Sequence, residues 1–235
     1  MYDTKLKVVM NWSGGKDSAL ALYRLLQSEL YEVVALITGI DKENRSSSVH
    51  GLPMSLLQQQ AESIGIPLYT FEFNRDLTNY QSAIAEITGY FKDRRINTFA
   101  FGDLQSSNIK PAREKLLNPL GINVLEPLWV KCNEEVMNDF LHSEISATII
   151  VADATIFPQT IIGKDLNRQT INSFPKGIDL CGESGEYHTL TYKGAIYQRA
   201  VKFRIDNSYL NKYNIRLNSG EIKSYAYWQA KIIPH

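Results

Sequence analysis

Apolar and β-branched residues recur along the first two thirds of the chain in short runs, at 7–12, 33–40, 67–73, 97–101 and 123–128. Each run is followed by turn residues and then by a stretch with helical spacing. The first such stretch is the clearest. Ala19, Leu22, Tyr23, Leu25 and Leu26 fall on one helical face after a start at Asp17-Ser18. Further helices are expected over 54–64, 77–94, 111–117 and 134–144. Strand alternating with helix predicts an α/β fold, with a parallel sheet covered by helices on both faces. A sixth apolar run, 146–152, reads as another buried strand, and 45–48 reads as a mobile loop. From about residue 153 the pattern breaks up around Pro158, Gly163, Pro175, Gly177, Gly182 and Gly185, and then becomes Tyr-rich with strand-like alternation toward Ile233. The expected division is a first domain over 1–152 and a smaller, mixed α+β domain over 153–235.

Composition narrows the partners. Of 235 residues, 44% are hydrophobic, and Lys+Arg and Asp+Glu both number 25, so no overall basic field favours nucleic acid as a partner. No apolar run approaches the roughly 20 residues that span a bilayer, and residues 1–5 lack a signal-peptide core. A cytoplasmic protein without a membrane partner is expected. Cys132 and Cys181 form no C-x-x-C pair and read as structural thiols. The oligomeric state stays open, with a homodimer among the options.

In an open α/β sheet, ligands bind beyond the carboxyl ends of the strands. That rule brings together 13–18, 38–41, 102–103 and 129–130. The first of these, Ser13-Gly14-Gly15-Lys16-Asp17-Ser18, has the chemistry of a phosphate cradle. Gly14 and Gly15 let the backbone turn tightly and approach an anion, and the next helix opens with unpaired N–H groups. Ser13, Lys16 and Ser18 add donors, while Asp17 is placed to cap the helix or to help hold Mg²⁺. Backbone groups around Ile37 and Thr38 are candidates for contacts to adenine. The loop is neither G-x-x-x-x-G-K-S/T nor G-x-G-x-x-G. Its plain alternative is a capped glycine-rich turn.

A second segment, residues 179–189, packs two glycines, two glutamates, a cysteine, a tyrosine, a histidine and a threonine into eleven positions. Glu183, Glu186 and His188 have the chemistry to polarise a nucleophile, bind a cation or recognise an amine. A solvated loop with incidental charges is the competing reading. Asp103 suits an acceptor, a cation or a turn, and Arg113 suits a phosphate or an ion pair with Glu114. Trp129 reads as a core aromatic.

Taken together, S-G-G-K-D-S and G-E-S-G-E-Y-H-T resemble the PP-loop ATP pyrophosphatases, and within them the diphthine-ammonia ligase family and its bacterial relatives. Supporting matches are His50-Gly51, Gln60-Ala61 with Gly65-Ile66-Pro67-Leu68, Phe101-Gly102-Asp103-Leu104, Arg113-Glu114 and Pro127-Leu128-Trp129. The resemblance runs from residue 6 to about 200, and Cys181 before Gly182-Glu183 is similar to the bacterial branch. It implies a Rossmann-like, adenine nucleotide alpha hydrolase domain. It also implies an ATP- and Mg²⁺-dependent, amide-forming ligase. Such an enzyme adenylates a carboxylate, of the diphthine type carried by modified elongation factor two, releases pyrophosphate and lets ammonia displace AMP. By matching position, Ser13 to Ser18, with Ile37 and Thr38, take the ATP role, and Asp17 the metal. His50, Gly102, Asp103, Arg113, Gly182, Glu183, Gly185, Glu186 and Thr189 take the substrate role. Lys16, Asp17, Glu183, Glu186 and His188 take the catalytic one. The alternatives are a tRNA-modifying PP-loop enzyme and a module that binds adenine nucleotide without turnover.

Overall fold

The protein is described by a computed structural model covering residues 5–47, 51–105, 109–129, 131–216 and 222–235. The first half alternates strand and helix: β1 (Leu6–Asn11), α1 (Lys16–Gln27), β2 (Tyr31–Asp41), β3 (Ser46–Ser47), α2 (Met54–Ile64), β4 (Leu68–Phe73), α3 (Tyr80–Lys92), β5 (Thr98–Ala100), α4 (Lys110–Leu117) and β6 (Asn123–Leu125). The long strands pair in parallel in the spatial order β4-β2-β1-β5-β6. Two residues of the expected loop at 45–48 form β3, antiparallel to Ile40–Asp41 of β2.

Alternation along the central strands sorts side chains to the two faces. Val8 and Met10 of β1, with Leu36 and Ile40 of β2, enter a core shared with α1, α2 and α5 (Asn133–His142). Val9, Ala35 and Ile37 enter a second core with Ala83, Ile84 and Phe91 of α3 and Leu117 of α4. Helices therefore cover both faces, as the periodicity predicts, and no helix among the described residues is long and apolar enough to cross a membrane.

The remainder builds a four-stranded antiparallel sheet in the order β8-β7-β10-β9. Its strands are β7 (Ser146–Asp153), β8 (Tyr187–Lys193), β9 (Phe203–Arg216) and β10 (Ile222–Pro234), and a 3-10 turn (Gln159–Ile161) and a short helix, α6 (Arg168–Asn172), accompany them. The expected boundary at 152/153 falls near the end of β7. Among the described strands it pairs with β8 and β10, so the change of sheet lies before it, after β6. The cores do not separate at this point. Ala147, Ile149, Leu190 and Ala230 of the second sheet belong to the same cluster as Val8, Leu22 and Leu57, which fixes β8 against the amino end of α1.

Glu126, directly after β6, is buried, and neither carboxylate oxygen has a hydrogen-bond partner among the described residues. Burial, reinforced by the charge of Asp103 and opposed by Lys110 and Arg113, pushes its pKa up to about 7 from an ordinary 4.5. The folded chain thus keeps a proton that the unfolded chain has already released above pH 4.5, and stability falls as pH rises through that window. Glu126→Gln is expected to be more stable than the parent at pH 8 by on the order of 1 kcal/mol, several degrees in Tm, with no gain near pH 4. Thermal denaturation at both pH values checks this; equal displacement at both would refute it.

Candidate functional site

Where β1 ends, the N–H of Trp12 bonds to the Ile37 carbonyl at 2.7 Å and prolongs the ladder, after which the chain turns. Gly14 has φ +81°, and a Cβ there would lie 2.6 Å from a Leu52 methyl and 2.8 Å from Gln60 Oε1, so glycine is required both conformationally and sterically. Gly15 is the N-cap of α1 and has no side chain to cap with. The Asp17 carboxylate does not cap the helix. Asp17 sits in the first turn, with its oxygens 2.9 and 2.8 Å from Lys16 Nζ. The hydroxyls of Ser13 and Ser18 are 3.0 Å apart, and the Gly15 N–H reaches Ser13 Oγ at 3.3 Å.

The Lys16 ammonium is 5% exposed and also donates to the Cys181 carbonyl, with the Tyr187 ring 5.4 Å away. Burial disfavours its charge, but the Asp17 carboxylate, together with smaller contributions from Tyr187 and Cys181, more than offsets this and raises the pKa above the ordinary lysine value. Its backbone N–H is spent on Thr189 Oγ1 at 3.0 Å. The two sequence motifs are therefore bonded to each other.

Residues 179–189 form a turn braced from within. Asp179 accepts from the N–H groups of Cys181 (2.9 Å) and Glu183 (3.1 Å) and from Asn133 Nδ2 (2.7 Å). Gly182 at φ +75° and Gly185 at φ +90° supply left-handed backbone. The two glutamates part company here. Glu186 is buried, and its carboxylate accepts the Ser184 N–H at 2.9 Å and, at 3.4 Å, that of Asp179. Glu183 instead faces the cavity. Burial, followed by the negative charge of Asp17 and opposed by Lys16, pushes its pKa up to about 8. His188 also lines the cavity; burial, with the Lys16 charge, lowers its pKa to about 4, so the imidazole is neutral at pH 7.

The cavity holds about 400 Å³ at the carboxyl ends of β1, β2 and β5. Of the residues anticipated from sequence, Ser13, Lys16, Asp17, Ser18, Thr38, Gly102, Asp103, Arg113, Gly182, Glu183, Gly185, His188 and Thr189 line it. Gly14, Gly15, Ile37 and Glu186 do not. Ile37 lies within β2, with its side chain in the α3 core and its carbonyl on Trp12. Trp129 is half-buried under Lys110, 5.5 Å from the ring, and not a core residue. His50 and Val130 lie outside the described residues. Asp103 is held in a two-point ion pair by Arg113, whose guanidinium lies 4.2 Å from the Phe101 ring centre. Both aspartates suited to a cation are therefore paired in the structure, Asp103 with Arg113 and Asp17 with Lys16.

An aromatic wall went unanticipated. Phe71, Phe73 and Tyr80 line the cavity beside Thr38 and Gly39, with Tyr80 5.9 and 5.6 Å from the two phenylalanine rings, edge to face. A Cβ on Gly39 would come within 2.8 Å of the tip of the Phe71 ring, so the glycine makes room for that ring beside β2. The Phe71-Glu72-Phe73 alternation at a predicted strand end was the available signal.

Against known proteins, residues 6–124 match the model of the diphthamide synthase N-terminal domain, and 132–225 that of the C-terminal domain. The chain is 25% identical over 220 residues to human diphthine–ammonia ligase and 24% identical over 220 to that of Rattus norvegicus, with 83% of this chain and 82% of each relative covered. Among solved structures it is similar to a protein from Methanocaldococcus jannaschii described as a predicted subunit of tRNA methyltransferase. There the TM-score is 0.42 and the identity 16%, over 62% of this chain and 80% of that one. With both domain models matched in order, and the first alone taking in half its length, the chain belongs to the diphthamide synthase family.

Proposed function

We propose that the chain is an ATP-dependent ligase that adenylates a carboxylate, releases pyrophosphate and lets ammonia displace AMP to leave an amide. The observation that carries this reading is one cavity lined both by Ser13, Lys16, Asp17 and Ser18 of the first motif and by Glu183 and His188 of the second. The aromatic wall of Phe71, Phe73 and Tyr80 suits an adenine ring. The triphosphate then reaches Ser13, Lys16 and Ser18, the donors of the loop that line the cavity at the start of α1. As the acceptor oxygen attacks the α-phosphorus and the bond to the β-phosphate breaks, charge develops on the leaving pyrophosphate, and the Lys16 ammonium lies beside it. In the second step ammonia attacks the acyl carbon and AMP departs. Glu183, titrating near 8, suits the proton lost from nitrogen, for which neutral His188 is a weaker base.

Asp17 is the residue that would hold Mg²⁺. Its carboxylate lines the cavity with Ser13 and Ser18, a hard oxygen donor that suits an ion which keeps waters and takes most of its other ligands from phosphate oxygens. When bound, Mg²⁺ supplies neutralisation of phosphate charge. The parallel-sheet part would hold the nucleotide, and the part from β7 onward would shape the acceptor pocket. A diphthine-type carboxylate, as on modified elongation factor two, is the acceptor proposed from the family.

The test is to incubate the chain with ATP, Mg²⁺, ammonium and diphthine-bearing elongation factor two, and to separate the nucleotides. AMP and pyrophosphate in equal amounts, with the acceptor carboxyl converted to an amide, are expected. ADP and phosphate would overturn the reading.

A further inference from the structure

The Gly14 carbonyl points away from the cavity into a buried polar network, and three donors converge on it. They are the Thr191 N–H at 2.9 Å, the Thr191 hydroxyl at 3.0 Å and Gln60 Nε2 at 3.1 Å. Gln60 and Thr191 are completely buried. The orientation of the Gln60 amide is fixed by chemistry. The Trp12 indole can only donate, and at 3.0 Å it requires Oε1, which leaves Nε2 for the carbonyls of Gly14 and, at 2.7 Å, Thr191. Every polar atom of that side chain is thus satisfied, at a position where an unmatched one would be costly.

In a trans peptide the carbonyl and the following N–H point in opposite directions. Pinning the Gly14 oxygen inward therefore turns the Gly15 N–H outward. It meets Ser13 Oγ at a long 3.3 Å, and Ser13 lines the cavity. Meanwhile the next amide, that of Lys16, is held on Thr189. Two side chains of β8, two residues apart on one face, thus fix two consecutive peptide planes of the loop, and that strand continues directly from the 179–186 turn.

We propose that Gln60 and Thr191 are positioning residues: by turning the Gly15 amide onto Ser13 Oγ, which lines the cavity, they aim that hydroxyl at a nucleotide phosphate and make the grip on phosphate depend on β8. The proposal rests on the nucleotide reading above and adds to it the source of the loop's aim, which lies in α2 and the second sheet rather than in the loop. It also gives a reason for the two motifs to occur together, since a shift of the 179–186 turn would be felt by β8 and so by the phosphate site.

Calorimetry with three probes, namely ATP, inorganic pyrophosphate and adenosine, tests it on the full chain. Thr191→Val removes the hydroxyl donor while keeping the shape and the N–H. It is expected to weaken ATP and pyrophosphate about tenfold and to leave adenosine within about twofold, as loss of one aimed hydrogen bond requires. Thr191→Ser, which retains the donor, is expected to restore both. Gln60→Glu, which faces the two carbonyls with an oxygen in place of the amide nitrogen, should act in the same sense. A merely structural role would lower Tm without separating phosphate-bearing ligands from adenosine. Equal weakening of all three probes, or unchanged affinity in folded Thr191→Val, would overturn the positioning role alone. A parent chain that binds neither ATP nor pyrophosphate would remove the nucleotide reading and this proposal with it.

Discussion

Exchange of Lys16 for methionine is expected to lower the rate of AMP formation by roughly 10²–10³-fold, the effect of removing one preorganised charge from a site where negative charge develops. Methionine matches the length of the aliphatic stem, and with only 5% exposure the site admits little water to replace the ammonium. The loss should fall mainly on kcat. Lys16 already has the Asp17 carboxylate and the Cys181 carbonyl as partners, so ground-state binding gains less from it than the departing pyrophosphate does. The exchange also leaves the half-buried Asp17 carboxylate without its cation, which favours its protonated form. Lys16→Arg separates charge from geometry, because it keeps the cation on a larger planar head that cannot meet the same carbonyl and carboxylate together. Steady-state kinetics with ATP varied decide the matter. A methionine variant within tenfold of the parent in kcat would remove Lys16 from the reaction.

What the sequence reveals and conceals about this site follows from the range of the forces involved. Helix α2 ends where the periodicity places it, over 54–64, and the strands β1, β2, β4, β5 and β6 all overlap their apolar runs, because local alternation and burial demand the same thing there. The apolar run at 146–152 carries no mark of which sheet it joins. Parallel and antiparallel partners present the same local pattern, and only the pairing with β8 and β10 assigns it. Glu183 and Glu186 are the same residue type three positions apart, yet left-handed backbone at Gly185 turns one toward the cavity and folds the other onto amide groups. Ile37, a candidate for adenine contacts from its place in the sequence, lies in the strand interior, since β2 runs on to Asp41. Gln60 reads as an ordinary polar position in a helix, and its importance exists only because β8 arrives from 131 residues further along.

Gly102→Ala should weaken ATP binding by about 10²-fold and destabilise the fold by about 1–3 kcal/mol, although alanine is the mildest substitution available. Gly102 follows β5 and is not among the residues with positive φ, so backbone strain plays no part. The cause is contact. A Cβ at this position would lie 2.7 Å from the Asp17 carbonyl carbon and the Ser18 amide nitrogen, and 2.8 Å from the Asp17 oxygen, all of them backbone atoms in the first turn of α1. No rotamer relieves such a clash, so the strand end and the helix must move apart, and the moving part is the turn that carries Lys16, Asp17 and Ser18. Gly89 gives the contrast. It lies inside α3 with nothing within 4 Å of its would-be Cβ, and Gly89→Ala is expected to stabilise by about 0.5–1 kcal/mol through helix propensity while leaving ATP affinity unchanged. Thermal denaturation and ATP titration of the two variants side by side distinguish the effects. Parent-like ATP affinity in Gly102→Ala would mean that the phosphate turn tolerates displacement from β5, and the close packing of strand end on helix start would then have no part in holding nucleotide.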